Sequence, residues 1–398
     1  MTDSFVLSSL RTPFAKFGKG YASVRPDDLA ASVIASLIER HVPDVSLIDE
    51  AIFGNANGAG EENRNVARMS LLLAGLPTSI PGSTVNRLCG SGLDAAISAA
   101  RMIETGDAEL VIAGGVESMT RAPWVLLKPD KAFPAQNATL ENTALGWRLV
   151  NPKMPQEWSV SLGLANEAVA TKYKVSRVEQ DEFAMRSHQL ASQAWDNGFY
   201  DSITSTVAGT DIVRDESIRA ATTMSDLASL KPAFAPDGSI TAGNASPLSD
   251  GAAAMLIGSS NVASQLGLPA VFRIASRAAH AVDPQWFGIA PIEAANRALT
   301  KAGIAWSQVD AVELNEAFAA QSLACVREWG IDAQIVNARG GAIAIGHPLG
   351  ASGIRILSTL VERMRVDNLH YGVASICIGV GQALAVVIEN LAYESGVA

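Results

Sequence analysis

Residues 83–103 read STVNRLCGSGLDAAISAARMI, and residues 335–365 read IVNARGGAIAIGHPLGASGIRILSTLVERMR. Each stretch opens on a short β-branched run ending Val-Asn, passes through glycines and continues into a small-residue helical pattern. A short apolar run closes each, Leu110 to Gly114 in the first and Val373 to Ile376 in the second, of the kind buried on both faces of a sheet. Upstream, Asp49 to Gly54 finds its counterpart in Val309 to Asn315, each a strand entering a loop that carries Asn. One supersecondary unit is therefore encoded twice. Two such units predict a layered α/β fold in which similar halves face each other, with helices between and outside the sheets. A site shared by the halves would lie where the matching loops converge.

The stretch between the units, 119–250, has a different character. It holds a Pro- and Trp-containing irregular part from Pro123 to Trp158, a long helical pattern from Leu162 through Asn197, and a second irregular part. Insertions of this length are usually lids or binding elements. The expected organisation is an N-terminal half of residues 1–118 with 251–270, an inserted substrate-facing subdomain of 119–250, and a C-terminal half of 271–398.

At 398 residues the chain exceeds what one hydrophobic core serves. Nearly half of it is apolar, 18% is charged and 33 residues are glycine, a composition of close-packed globular proteins. The net charge of -10 opposes a phosphate-backbone partner, so no nucleic acid is expected. Met1 to Val6 lacks the start of a secretory leader, and no window offers about 18 uninterrupted apolar residues. A soluble, cytoplasmic protein without membrane insertion is expected. Three cysteines without C-x-x-C spacing suggest neither a disulfide framework nor a metal site.

Cys89 follows a strand and opens a helix, where terminal amide groups favour thiolate. Local pattern leaves two readings open, a nucleophile and a core cysteine in a tight turn. His347, in the glycine-rich passage Gly340 to Pro348, reads either as structural or as a base for the thiol. Cys377 ends a buried strand before Gly379-Val380-Gly381, whose backbone N–H groups suit a developing oxyanion, and an inert strand cysteine is the alternative. Asn315, in Asn315-Glu316-Ala317-Phe318, reads as a helix N-cap or as a group that holds a water or a carbonyl oxygen. Cys325, within an amphipathic helix, is expected to be core.

Taken together, the motifs resemble the thiolase family over nearly the whole chain. They are R-T-P-F at 11–14, V-N-R-L-C-G-S-G-L at 85–93, G-G-V-E-S-M at 114–119, K-P-A-F at 231–234, T-A-G-N-A-S at 241–246, N-E-A-F-A-A-Q at 315–321, G-G-A-I-A-I-G-H-P-L-G-A-S-G at 340–353, and C-I-G-V-G-Q at 377–382. The resemblance implies the five-layered thiolase fold, assembled as a homodimer or homotetramer. It also implies cleavage of a 3-oxoacyl-CoA by CoA through an acyl-cysteine, reversible as a Claisen condensation, with CoA and acyl-CoA as substrates and no tightly bound cofactor or metal. On it, Cys89 is the acylated nucleophile, His347 its base, and Cys377 the second acid/base. Asn315 would hold a water beside His347, and the N–H groups of Cys89 and Gly379 would form the other oxyanion site. Arg219, Phe234, Ala242, Ser246, Ala317 and Phe318 would contact CoA. Where the family usually has His-Met-Gly, this chain has Ser161-Leu162-Gly163. Gly379-Val380-Gly381-Gln382 is similar to degradative thiolases such as those of fatty-acid β-oxidation. Leu145-Gly146-Trp147-Arg148 with Asn151-Pro152 resembles the loop of β-ketoadipyl-CoA thiolases, in which Arg148 meets a second carboxylate or simply packs on Trp147. A biosynthetic acetoacetyl-CoA thiolase is a further alternative. Outside the family, a ketosynthase-like condensing enzyme, a CoA-binding module and a thiol–disulfide oxidoreductase are the rival readings.

Overall fold

The computed structural model describes residues 2–394; the outermost positions of the two expected halves, residue 1 and residues 395–398, lie outside the described residues. The first half contributes β1 (Phe5–Arg11), α1 (Pro26–His41), β2 (Glu50–Gly54), β3 (Gly82–Val85), α2 (Ser91–Thr105) and β4 (Leu110–Ser118). The intervening stretch carries α3 (Leu162–Lys172) and α4 (Arg177–Asp196) and leads into β5 (Ser249–Gly258). The second half follows as β6 (Phe272–Ala281), α5 (Ala290–Ala302), β7 (Ala311–Leu314), α6 (Ala319–Trp329), α7 (Leu349–Val366), β8 (Tyr371–Ile378) and β9 (Gln382–Asn390). Strand order is β7-β8-β9-β6-β1-β5-β4-β2-β3. Within the sheet, among the described residues, the two halves pair where Phe5 and Val6 of β1 meet Arg273 and Phe272 of β6.

The repeat is visible down to single hydrogen bonds. In the first half the Asp49 carboxylate accepts from the amides of Glu109 and Leu110 at 2.7 and 3.1 Å. In the second, Asp310 accepts from His370 and Tyr371 at 2.8 and 3.1 Å. β2 runs parallel to β4 as β7 runs parallel to β8. Helices α2 and α7 lie between the sheets of the two halves, where the central core collects Leu93, Ile97, Ile354 and Leu357. α1 covers the outer face of the first half with Leu29, Val33 and Leu37. α5 and α6 cover that of the second with Ala294, Ala298 and Trp329. The five-layered α/β architecture expected from the sequence is the one observed.

Two local expectations are corrected. Ile335 to Asn337 is no full strand: Ala333–Ile335 is a 3₁₀ turn, Val336 makes a single bridge to Val312, and Asn337 turns away at φ 48°. Its side chain is spent on the β7 backbone instead, bonding to Leu314 N and O at 2.8 Å each. The helical pattern from Leu162 through Asn197 is two helices, because Lys174 takes φ 53° and Ser176 with Glu179 forms a capping box that starts α4 afresh.

The N-termini of α2 and α7 cross so closely that backbone meets backbone. A Cβ at Gly353 would stand 2.0 Å from Leu93 N, and one at Gly92 would stand 2.5 Å from Gly350 O. Such contacts admit only glycine. Gly353→Ala is therefore expected to cost about 1–3 kcal/mol or more, as overpacking of a rigid core does. A urea unfolding curve reads this as a lowered midpoint; an unchanged midpoint would mean that the helices do not touch there.

Candidate active site

Cys89 sits at the turn between β3 and α2. Leu88 is left-handed at φ 49°, its amide bonds to Asn86 Oδ1 at 2.9 Å, and Ser91 Oγ accepts from Arg87 N at 2.8 Å. This tight turn places the thiol in the wall of a cavity that Gly379 also lines. The helix-terminal position was expected to favour thiolate. Burial outweighs it: desolvation, with the Gly379 N–H opposing and the buried Glu117 adding to it, pushes the thiol up to about 11. At rest Cys89 is therefore a protonated thiol.

His347 lies between Gly346, at φ 116°, and Pro348, and its amide bonds to Ser249 Oγ at 3.2 Å. Its Nδ1 is 2.7 Å from Ser352 Oγ, which is also 2.9 Å from Pro348 O. The one hydroxyl hydrogen goes to the carbonyl, so Nδ1–H donates to Ser352 and Nε2 keeps its lone pair. Desolvation, helped by the charge of Arg355, lowers the imidazole to about 3, so it is neutral at ordinary pH. Nε2 faces the Asn315 amide nitrogen at 3.5 Å. Arg355 Nη2 donates to Asn315 Oδ1 at 3.2 Å, which aims the amide N–H groups at the imidazole. Behind Asn315, Glu313 lies 3.6 Å from Arg355, both fully buried, and burial lifts Glu313 to about 7. Asn315 is not a helix cap, since α6 begins after Phe318.

Cys377, at the end of β8, is buried, and its thiol is raised well above the usual range by desolvation and by the nearby Cys89. Cys89, His347, Cys377 and Gly379 line one cavity of about 380 Å³, together with Phe234, Ser246, Ala317 and Phe318. Phe234 and Phe318 meet edge to face at 6.1 Å there. A second cavity, of about 440 Å³, also opens on Cys89 and is walled by Leu88, Arg148 and Val380. Arg219 and Ala242 stand apart, in a wider cavity of about 830 Å³ that touches the first through Pro247 and Leu248. Cys325 is core, its sulfur 3.6 Å from Gly288 O. Among the described residues no group of three or more His, Cys, Asp or Glu is gathered for a metal, and no helix is long and apolar enough to cross a membrane.

Four contributors escaped the sequence reading: Ser352 and Arg355, which orient His347 and Asn315, and Glu117 and Glu313. The signal for the first two was present, since they stand three residues apart on α7 and an Arg inside Ile354-Arg355-Ile356-Leu357 calls for a buried partner.

A thiol and a neutral imidazole in one cavity are the groups that acyl transfer through a thioester calls on. Residues 4–261 match the family described as thiolase, N-terminal domain, and 268–390 that described as thiolase, C-terminal domain. The chain belongs to the thiolase family. It is 46% identical to a β-ketoadipyl-CoA thiolase of Pseudomonas putida, over 98% of this chain and 100% of that one. It is equally 46% identical, with the same coverage, to a 3-oxoadipyl-CoA/3-oxo-5,6-dehydrosuberyl-CoA thiolase of Escherichia coli K12. Human mitochondrial 3-ketoacyl-CoA thiolase in complex with CoA superposes with a TM-score of 0.91 at 34% identity, covering 98% of each chain.

Arg355 acts on the site through Asn315 and His347, which gives it a distinctive signature. Arg355→Met should lower kcat by about 10²-fold, the scale of losing one oriented oxyanion donor, with a smaller change in KM. Removing a like charge raises the imidazole pKa, and a base is lost as pH falls through its pKa. The acid limb of the kcat/KM profile should therefore move to higher pH, whereas a purely structural role would leave it in place.

Proposed function

We propose that this thiolase works through an acyl group carried on Cys89, and that His347, Cys377, Asn315 and Gly379 perform its proton and oxyanion chemistry. The observation that supports this most is the convergence of the two thiols and the imidazole, from three distant segments, in one cavity. In the degradative direction His347 takes the Cys89 proton, and the thiolate attacks the 3-oxo carbon. The oxyanion that forms there would be held by the N–H groups of Cys89 and Gly379. The carbon–carbon bond breaks as the electron pair passes into an acetyl-CoA enolate. His347 and a water beside Asn315 would hold that enolate oxygen, and Cys377 protonates its carbon. The Cys377 thiolate then takes the proton of incoming CoA, whose sulfur displaces the acyl group from Cys89. The return steps form the bond by Claisen condensation.

CoA would enter along Phe234, Ala317, Phe318 and Ser246, with its nucleotide over Arg219 and Ala242. The relatives named for β-ketoadipyl-CoA and 3-oxoadipyl-CoA support a short dicarboxylic acyl group over the general fatty-acid type. A homodimer or homotetramer is supported by β3, an edge strand paired only with β2 and half-buried throughout.

Incubation with acetyl-CoA should add one acetyl group to the intact mass, and Cys89→Ser should abolish it; no increment on the wild-type chain overturns the reading. Cys377→Ala should still acylate while steady-state thiolysis falls by about 10²-fold or more, because general acid–base help contributes on that scale. Equal loss of both steps would count against the role given to Cys377.

A further inference from the structure

The two cavities that open on Cys89 differ in chemistry. One carries the two phenylalanines, His347 and Cys377; the other is lined by Arg148, the sole cationic side chain among its lining residues. Arg148 is half-buried, and among the described residues no carboxylate lies within ion-pairing distance of it. Its one side-chain partner is neutral: Nη2 donates to Asn57 Oδ1 at 3.3 Å. Asn57 cannot turn its amide over, because Nδ2 is held by Thr143 O at 3.2 Å and Thr143 Oγ1 at 2.8 Å, and Thr143 Oγ1 donates in turn to Pro123 O at 2.5 Å. The neighbouring Trp147 is tied separately, by Nε1 to Val160 O at 2.9 Å. The guanidinium is thus aimed and braced while donors remain free.

The other charged group of this cavity is Glu117, already engaged by the amides of Ala56 and Gly350 at 2.9 Å each. The wall of this cavity also includes Leu88 and Val380, both left-handed, at φ 49° and 66°. A β-branched residue in that conformation is strained, and such strain is kept where a side chain must point one way. A cavity that joins the apolar side chains of Leu88 and Val380 with a guanidinium lacking a carboxylate partner suits a few methylenes ending in a carboxylate.

We infer that Arg148, braced by Asn57, binds the terminal carboxylate of the acyl group bound for Cys89, and so selects ω-carboxylated 3-oxoacyl thioesters. This rests on the thiolysis reading given above. It places the acyl group in the cavity opposite the phenylalanines, and leaves the CoA phosphates to the separate cavity that holds Lys16 and Arg219.

The test compares kcat/KM for 3-oxoadipyl-CoA and 3-oxohexanoyl-CoA, of equal carbon count, in thiolysis by the full chain. The wild type should prefer the carboxylated substrate, and Arg148→Gln should lower the ratio by about a hundredfold, the scale of losing a buried charge-assisted contact. Arg148→Lys should recover part of it. Because the ratio is read within each variant, a general loss of folded protein cancels. A ratio unchanged in Arg148→Gln overturns the inference while leaving the thiolase reading intact. A raised KM for CoA with both substrates also overturns it, by assigning Arg148 to a CoA phosphate. A wild-type chain that cleaves neither substrate overturns the thiolysis reading and this inference with it.

Discussion

The structure depends on one close approach, at the crossing of α2 and α7. Gly350 is surrounded by backbone: a Cβ there would stand 2.4 Å from Val116 O and 2.5 Å from Gly54 O, and one at Gly115 would stand 1.9 Å from Gly350 O. Because the helices cross at their N-termini, the turn before α2 and the loop before α7 are brought together, and these carry Cys89 and His347. Glu117 reinforces the crossing, accepting the Gly350 amide from one half and the Ala56 amide from the other. Gly92, Gly115, Gly350 and Gly353 are therefore part of the contact surface between the halves.

Exclusion of water, which follows from that packing, sets the electrostatics of the site. Cys89 and His347 are both pushed toward their neutral forms, the thiol up and the imidazole down. A neutral pair is stable in a low-dielectric pocket, and charge develops only when substrate supplies an oxyanion to be stabilised. The buried cation that organises this, Arg355, is itself held by Glu313, so the polar chain from Glu313 through Arg355 and Asn315 to His347 runs without exposed members. Such a chain is worth its desolvation when it orients a reacting group.

Asymmetry between the halves has a simple source. Corresponding units supply Cys89 from the first half and His347 from the second, each just before a helix that enters the crossing. The residues between the units are read differently on their two sides: Phe234 and Ser246 border the reacting groups, while Thr143 and Arg148 border the second cavity. One thiol therefore faces two differently lined spaces.

Periodicity and repetition by themselves determined the layered α/β class, the two related halves and the segments that carry the chemistry, because apolar runs, glycine turns and motif order are local properties. Only the tertiary structure decided the rest. Val336 lost its strand because Asn337 was drawn to β7, and α3 and α4 separated because Ser176 and Glu179 made a local cap. The thiol that a helix terminus would favour as thiolate became a half-buried, protonated one, since desolvation depends on what surrounds a residue and not on its neighbours in the chain. Asn315 read locally as a cap, and Arg355 did not read at all. Their roles come from contacts spanning 32 and 40 residues, which no window of sequence contains.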